Sequence, residues 1–164
     1  KSLKDSSEEL LFRNLVPFAS NKIVFLAHRF EEKELIDKIK TKLESKGFEF
    51  KEGKVEDLGS ITEDILNKIM RSGFFLALVT PYKEFKDGKF ATSAWILMEI
   101  GVAIAYERVV LILAENCIEQ DEYSRKLQSD HQYEIFDRKK DFDVKVDLAI
   151  NRIEKEWSKN NNQA

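Results

Sequence analysis

The sequence predicts an α/β fold, a three-layer sandwich with a central five-stranded parallel sheet flanked by helices. Short apolar runs rich in β-branched and aromatic residues recur at "KIVFLA" (22–27), "FFLALVT" (74–80) and "RVVLIL" (108–113). They lack polar alternation, as strands buried on both faces do. Amphipathic segments of helical period separate them, and strands alternating with helices build parallel sheets.

In chain order, "SSEELLFRNLV" opens with a capping-box pattern, Ser6 then Glu9, and reads as a short helix or linker ended by Pro17. After the first strand, "EEKELIDKIKTKLESKG" sets Leu35, Ile36, Ile39 and Leu43 on one helical face and stops at Gly47, a left-handed C-cap. "FEFK" (48–51) is a second strand, followed by the polar loop "EGKVEDLG". Ser60 and Glu63 form another capping box, opening a helix built on Ile61, Ile65, Leu66, Ile69 and Met70 and stopped by Gly73. Beyond the third strand lies a charged loop, "PYKEFKDGKFAT", with "KEFKDGK" as a solvated turn. A helix from about Ser93 to Tyr106 leads into the fourth strand. A polar helical segment (118–128), a fifth strand "YEIF" (133–136) and a final helix complete the pattern. That last helix rests on Phe142, Val146, Ala149, Ile150, Ile153 and Trp157. The expected organisation is a linker or short helix at 1–20, one domain at 21–159 and a disordered tail at 160–164.

Composition narrows the function classes. The 164 residues suit one domain with a sizeable core, and 43% hydrophobic residues with twelve Phe argue against disorder. A net charge of −3 with interspersed signs offers no basic stripe for nucleic acid. One cysteine, Cys117, excludes a disulfide framework or a multi-cysteine metal site and fits a reducing, cytoplasmic setting. No apolar run is long enough to span a membrane, and the N-terminus is too polar for a secretory signal. Beginning at Lys1, the chain reads as an excised domain. The P-loop, G-x-G-x-x-G, G-x-S-x-G and H-E-x-x-H motifs are all missing from the sequence.

The most informative stretch is "SAWILMEIGVAIAYERVVLIL" (93–113). From Phe90 to Tyr106 the only charge is Glu99, where a chain that is 35% charged would carry about six. Trp95 lies four residues earlier, so indole and carboxylate share a helical face, and an apolar wall tends to raise a carboxyl pKa. Glu99 is either a structural ion-pair partner or a working carboxylate. Ligands in such sheets bind at the carboxyl ends of the strands, which picks out the loops after residues 27, 51 and 80 and the start of the Glu99 helix. His28, Arg29 and Phe30 follow the first strand there, positioned for phosphate, ribose or base, or simply solvated. His131 reads as structural and Cys117, past a strand end with no His close in sequence, as a packed or surface thiol.

These pieces resemble a Toll/interleukin-1 receptor (TIR) domain of the bacterial, enzymatic type. "KIVFLAHRFEEKELIDKIKTKLESKGFEF" is similar to that family's first strand, short loop and first helix. "DLGSITEDILNKIMRSGFFLALVTP" resembles its Gly-bearing loop, second helix and third strand. "SAWILMEIGVA" matches its Ser-x-Trp-x-x-x-Glu pattern. The resemblance spans residues 22 to about 157; outside Ser93, Trp95 and Glu99 it is a hydrophobic pattern common to flavodoxin-like folds. It implies hydrolysis of the nicotinamide–ribose bond of NAD, with Glu99 as catalytic glutamate and His28, Arg29, Phe30, Gly59, Ser93 and Trp95 binding substrate. NAD is then substrate rather than cofactor, no metal takes part, and self-association activates a cytoplasmic signalling or immune-defence effector without nucleic-acid or membrane partners. The chain departs from the family pattern at Ala27, at Leu58 and in a longer segment between Pro81 and Ser93 that either lids or blocks the pocket. Two other readings stand beside it. One is a non-catalytic adaptor pairing through the loop at 52–60. The other is a nucleoside deoxyribosyltransferase-like protein, whose Glu-x-Gly-x-Ala helix "MEIGVAIAYERVVLIL" also resembles.

Overall fold

A computed structural model describes residues 19–53, 63–85, 88–118 and 132–161. Along the chain lie β1 (Ile23–Ala27), α1 (Lys33–Ser45), β2 (Glu49–Glu52), α2 (Glu63–Met70) and β3 (Phe74–Val79), then β4 (Lys83–Glu84), β5 (Phe90–Ala91), α3 (Ala94–Ala105), β6 (Val109–Glu115), β7 (Gln132–Phe136) and α4 (Phe142–Asn161). The five long strands form one parallel sheet in the order β2-β1-β3-β6-β7. This is the doubly wound order of flavodoxin-like folds, and it matches the predicted class. Strand order reverses between β1 and β3, so the crevice that such folds use opens beyond Ala27 and Val79.

Side-chain alternation along the strands divides the core in two. Val24, Leu26, Leu76 and Leu111 face α1 and α4 and meet Leu35, Ile39, Val146 and Ile150. Phe25, Ala27, Phe75 and Ile112 face α2 and α3 and meet Ile65, Ile69, Ile96 and Ile100. The Phe25 and Phe75 rings stack with centroids 5.5 Å apart on adjacent strands. All six residues of β3 are buried. That is why its sequence is uniformly apolar.

Two expectations change. Lys83, Glu84, Phe85, Gly88 and Lys89 are exposed, as a solvated turn requires, but the segment after β3 is not a plain loop. β4 and β5 pair as an antiparallel hairpin, and Phe90 N–H donates to the Cys117 carbonyl, tying the hairpin to the end of β6. Gly73 does not act as a helix stop. The α2 helix ends at Met70, and a Cβ at Gly73 would lie 2.7 Å from the Asn21 carbonyl oxygen. Asn21 Oδ1 accepts from the N–H groups of Ile23 and Gly73, and its amide donates to the Arg71 carbonyl, stitching the starts of β1 and β3 together. By contrast Gly47 has the expected left-handed φ of 73° just past α1. The capping boxes at Ser6 and Ser60 and the segment at 118–128, apart from Ile118, lie outside the described residues, as do Leu58, Gly59 and His131.

At the carboxyl edge of β6 and β7, the Arg138 guanidinium donates to Glu32 and Glu115 at 2.7 Å each. Among the described residues no helix is long and apolar enough to cross a membrane.

Substituting Gly73→Ala forces its Cβ against backbone, and this is expected to lower stability by about 1–3 kcal/mol. Urea denaturation measures it; an unchanged midpoint would show that the β1–β3 stitch tolerates the extra carbon.

Candidate active site

Helix α3 packs across β1, β3 and β6. Its buried stripe is Ile96, Glu99, Ile100 and Ala103, so periodicity places a carboxyl among three apolar side chains. Glu99 is 5% exposed, and among the described residues nothing hydrogen-bonds or ion-pairs with its carboxyl. Burial alone pushes its pKa up to about 8. A charge so placed lacks compensation, and the proton is the group's cheapest partner.

Glu99 lines a cavity of about 220 Å³ at the crevice predicted by the strand order. The loop after β1 supplies His28, Arg29 and Phe30, α3 supplies Trp95 and Ile96, and Ser93 sits at the helix start. Six of the seven residues singled out in the sequence therefore surround one cavity; the seventh, Gly59, lies outside the described residues. Ser93 occupies the N-cap without a capping bond from its side chain, so the hydroxyl is not committed to the helix end.

The wall contributed by the loop after β1 is held from behind. His28, with a side chain 4% exposed, binds Glu52 Oε1 through Nε2 at 2.5 Å and the Arg29 carbonyl through Nδ1. Lys40 reaches the same Glu52 carboxylate at 2.9 Å. Burial by itself raises the Glu52 pKa, but the hydrogen bonds from Lys40 and His28 outweigh it and hold the group ionised below the usual range. Phe30 packs edge-on against His28 with centroids 4.9 Å apart and remains 42% exposed. Arg29 donates to the Pro81 carbonyl and lies over the Tyr82 ring at 5.2 Å, linking the exits of β1 and β3. Tyr82, at the root of the hairpin, is a wall of the cavity.

Four lining residues, Glu31, Gly53, Tyr82 and Ile96, went unnamed in the sequence. Tyr82 and Gly53 come from the loops around the opening, and the missing side chain of Gly53 matters more. A Cβ there would stand 2.6 Å from Glu99 Oε1 and 3.3 Å from Ile65, so glycine keeps open the space in front of the carboxyl. Both fall in loops that the strand-end rule flagged, after residues 51 and 80. Among the described residues no three metal-ligating side chains converge. Glu31 and Glu32 make the turn after β1 acidic, and Glu32 is bound to Arg138.

No protein-family model matches this sequence, and no curated protein matches it. Solved structures do share its backbone. A CMP N-glycosidase of Clostridium botulinum, BcmB, matches at a TM-score of 0.54 with 24% identity, over 77% of this chain and 98% of that one. A flavoprotein of Thermotoga maritima matches at 0.53 with 17% identity over 82% of this chain, which spans only 35% of that protein. The TIR domains of the activated Roq1 resistosome overlap at 0.44 with 17% identity, over 80% of this chain and 82% of that one. The first two establish a shared architecture.

The Glu99 burial has a measurable consequence for stability. Unfolded, the group titrates near 4.5; folded, near 8. Between those values the folded protein holds a proton that the unfolded chain has released, so stability falls as pH rises, by roughly 3–5 kcal/mol in all. Glu99→Gln abolishes that loss. Urea denaturation at pH 5 and pH 8.5 is expected to show the variant gaining on the wild type by roughly 3 kcal/mol or more across the interval. Parallel behaviour of the two proteins would mean that the carboxyl is not desolvated.

Proposed function

We propose that the chain is a nucleotide N-glycosidase that hydrolyses the nicotinamide–ribose bond of NAD+, giving nicotinamide and ADP-ribose or a cyclic form. The observation carrying this reading is the uncompensated Glu99 carboxyl on the wall of an aromatic-lined cavity, with Gly53 leaving room before it. A carboxyl without an ion-pair partner suits a substrate that brings one, and the nicotinamide ring of NAD+ is cationic. The faces of Trp95, Phe30 and Tyr82 attract such a ring. The fold shared with a CMP N-glycosidase is one that accommodates cleavage at an N-glycosidic bond.

The chemistry asks little of the protein. The C1′–N1 bond breaks with its electron pair passing to the ring, which departs as neutral nicotinamide without needing a proton. Positive charge develops at the ribose, as in glycoside hydrolysis. Ionised Glu99 faces that charge in surroundings of low dielectric, where a fixed carboxylate acts strongly. Water then adds at C1′ and yields one proton to the carboxylate. Where a group of the substrate takes the place of water, the product is cyclic. The TIR resemblance adds an effector role in signalling or immune defence, switched on by self-association.

One observation favours a second reading. A carboxyl held protonated near neutrality can donate to a neutral base, so a pyrimidine or purine nucleotide is the rival substrate. The pH dependence separates them. If ionised Glu99 is required, kcat/KM for NAD+ rises through about pH 8 and levels above it; if the acid form works, kcat/KM for the neutral-base substrate falls there.

Concentrated protein incubated with NAD+ is expected to release nicotinamide, measured by chromatography, and Glu99→Gln to slow release by roughly 100-fold or more. Equal rates in the two proteins would remove Glu99 from the chemistry. Gly53→Ala, which crowds the carboxyl, is expected to cost on the order of 10- to 100-fold in rate while the variant still folds cooperatively.

A further inference from the structure

A second concavity, about 490 Å³, runs beside the first between the edge strand β2 and α2. Phe30 lines both. The wall on this side is Asp64, Asn67 and Lys68 of α2 with Arg71 just past its end, its N–H still bonded to the Asn67 carbonyl, so that all four fall on one face over roughly 10 Å. Lys51 and Glu52, at the end of β2, complete it.

The charges in this cleft are not equally engaged. Asp64 is bound to Lys68 at 2.7 Å, and Glu52 is committed to His28 and Lys40. Among the described residues Lys51 and the Arg71 guanidinium have no ion-pair partner. The cleft thus presents two uncommitted cations and the Asn67 side-chain amide, with an exposed aromatic ring at its junction with the reacting cavity. The reacting cavity is itself too small for a dinucleotide: its 220 Å³ falls below the roughly 300–1,000 Å³ of ordinary ligand pockets.

We propose that this cleft is the second half of the substrate site and takes the diphosphate and distal nucleoside of a dinucleotide, which bends around Phe30. The proposal rests on the glycosidase reading for what fills the first cavity, and it makes the substrate class a dinucleotide rather than a mononucleotide. Lys51 and Arg71 match the two negative charges of a diphosphate, Arg71 with the fork geometry that grips phosphate oxygens. Asn67 offers a donor and an acceptor to a ribose or base edge. Phe30 is a stacking surface shared by the two halves.

Two measurements decide it. Calorimetric titration with ADP, which needs no turnover, is expected to show binding to the wild type that weakens at least tenfold in the Lys51→Ala/Arg71→Ala double variant. Absence of ADP binding, or equal affinity in both proteins, overturns the proposal. In kinetics, NAD+ is expected to be preferred over nicotinamide mononucleotide, which has the same reacting bond and lacks the distal half. The double variant is expected to shrink that ratio of kcat/KM at least tenfold, and an unchanged ratio overturns the proposal as well. If the wild type cleaves neither compound at concentrations where it self-associates, the glycosidase reading falls, while the ADP titration still decides the cleft.

Discussion

Much of this structure is arranged around the desolvation of one carboxyl. Glu99 stands on the inward face of α3 between Ile96 and Ile100, where the fold needs apolar packing. Burial desolvates the group and among the described residues no cation pairs with it, so its pKa is pushed well above the ordinary carboxyl range. A helix can carry such a residue only where the neighbouring layers leave a gap. Here the gap comes from two exits of the sheet. β1 turns away at His28, and the chain leaving β2 passes the carboxyl at Gly53, a residue without a side chain. Packing on one side of α3 and the absence of packing at one point on it are the same design seen from two directions.

Around that point the supports are polar and cross-linked. The chain Lys40–Glu52–His28 fixes the imidazole from behind and leaves its ring face to Phe30. Arg29 bridges to the Pro81 carbonyl, so the loops leaving β1 and β3 are joined rather than free to part. Arg138 clasps Glu32 and Glu115 farther along the same edge of the sheet. These bonds set a cavity whose walls are held before a ligand arrives, which is the condition under which fixed charges are most effective.

The central strands were legible in the sequence because burial on both faces leaves a continuous apolar run, as in Phe74–Val79. Glu99 was legible for the opposite reason, as a single charge where composition promised several. What escaped was non-local. The β4–β5 hairpin pairs only two residues with two, in a charged stretch with no strand-like alternation, and its anchor to Cys117 comes from another part of the chain. Gly73 resembled a helix stop, since a glycine after a helical pattern usually is one. Its true constraint is the backbone of Asn21, 52 residues away. The meeting of Lys51 with Arg71 likewise depends on α2 lying along an edge strand, which no local pattern announces.

Gly53 also bears on how sequences of this kind can diverge. Every replacement there adds at least one carbon in front of the Glu99 carboxyl, whereas Ile96 or Ile100 can exchange for other aliphatic side chains with modest repacking. A side chain placed there therefore displaces the Glu99 carboxyl from the position that it now holds. A sequence that has lost the carboxyl is released from that constraint. Gly53 and Glu99 are thus expected to change together rather than singly.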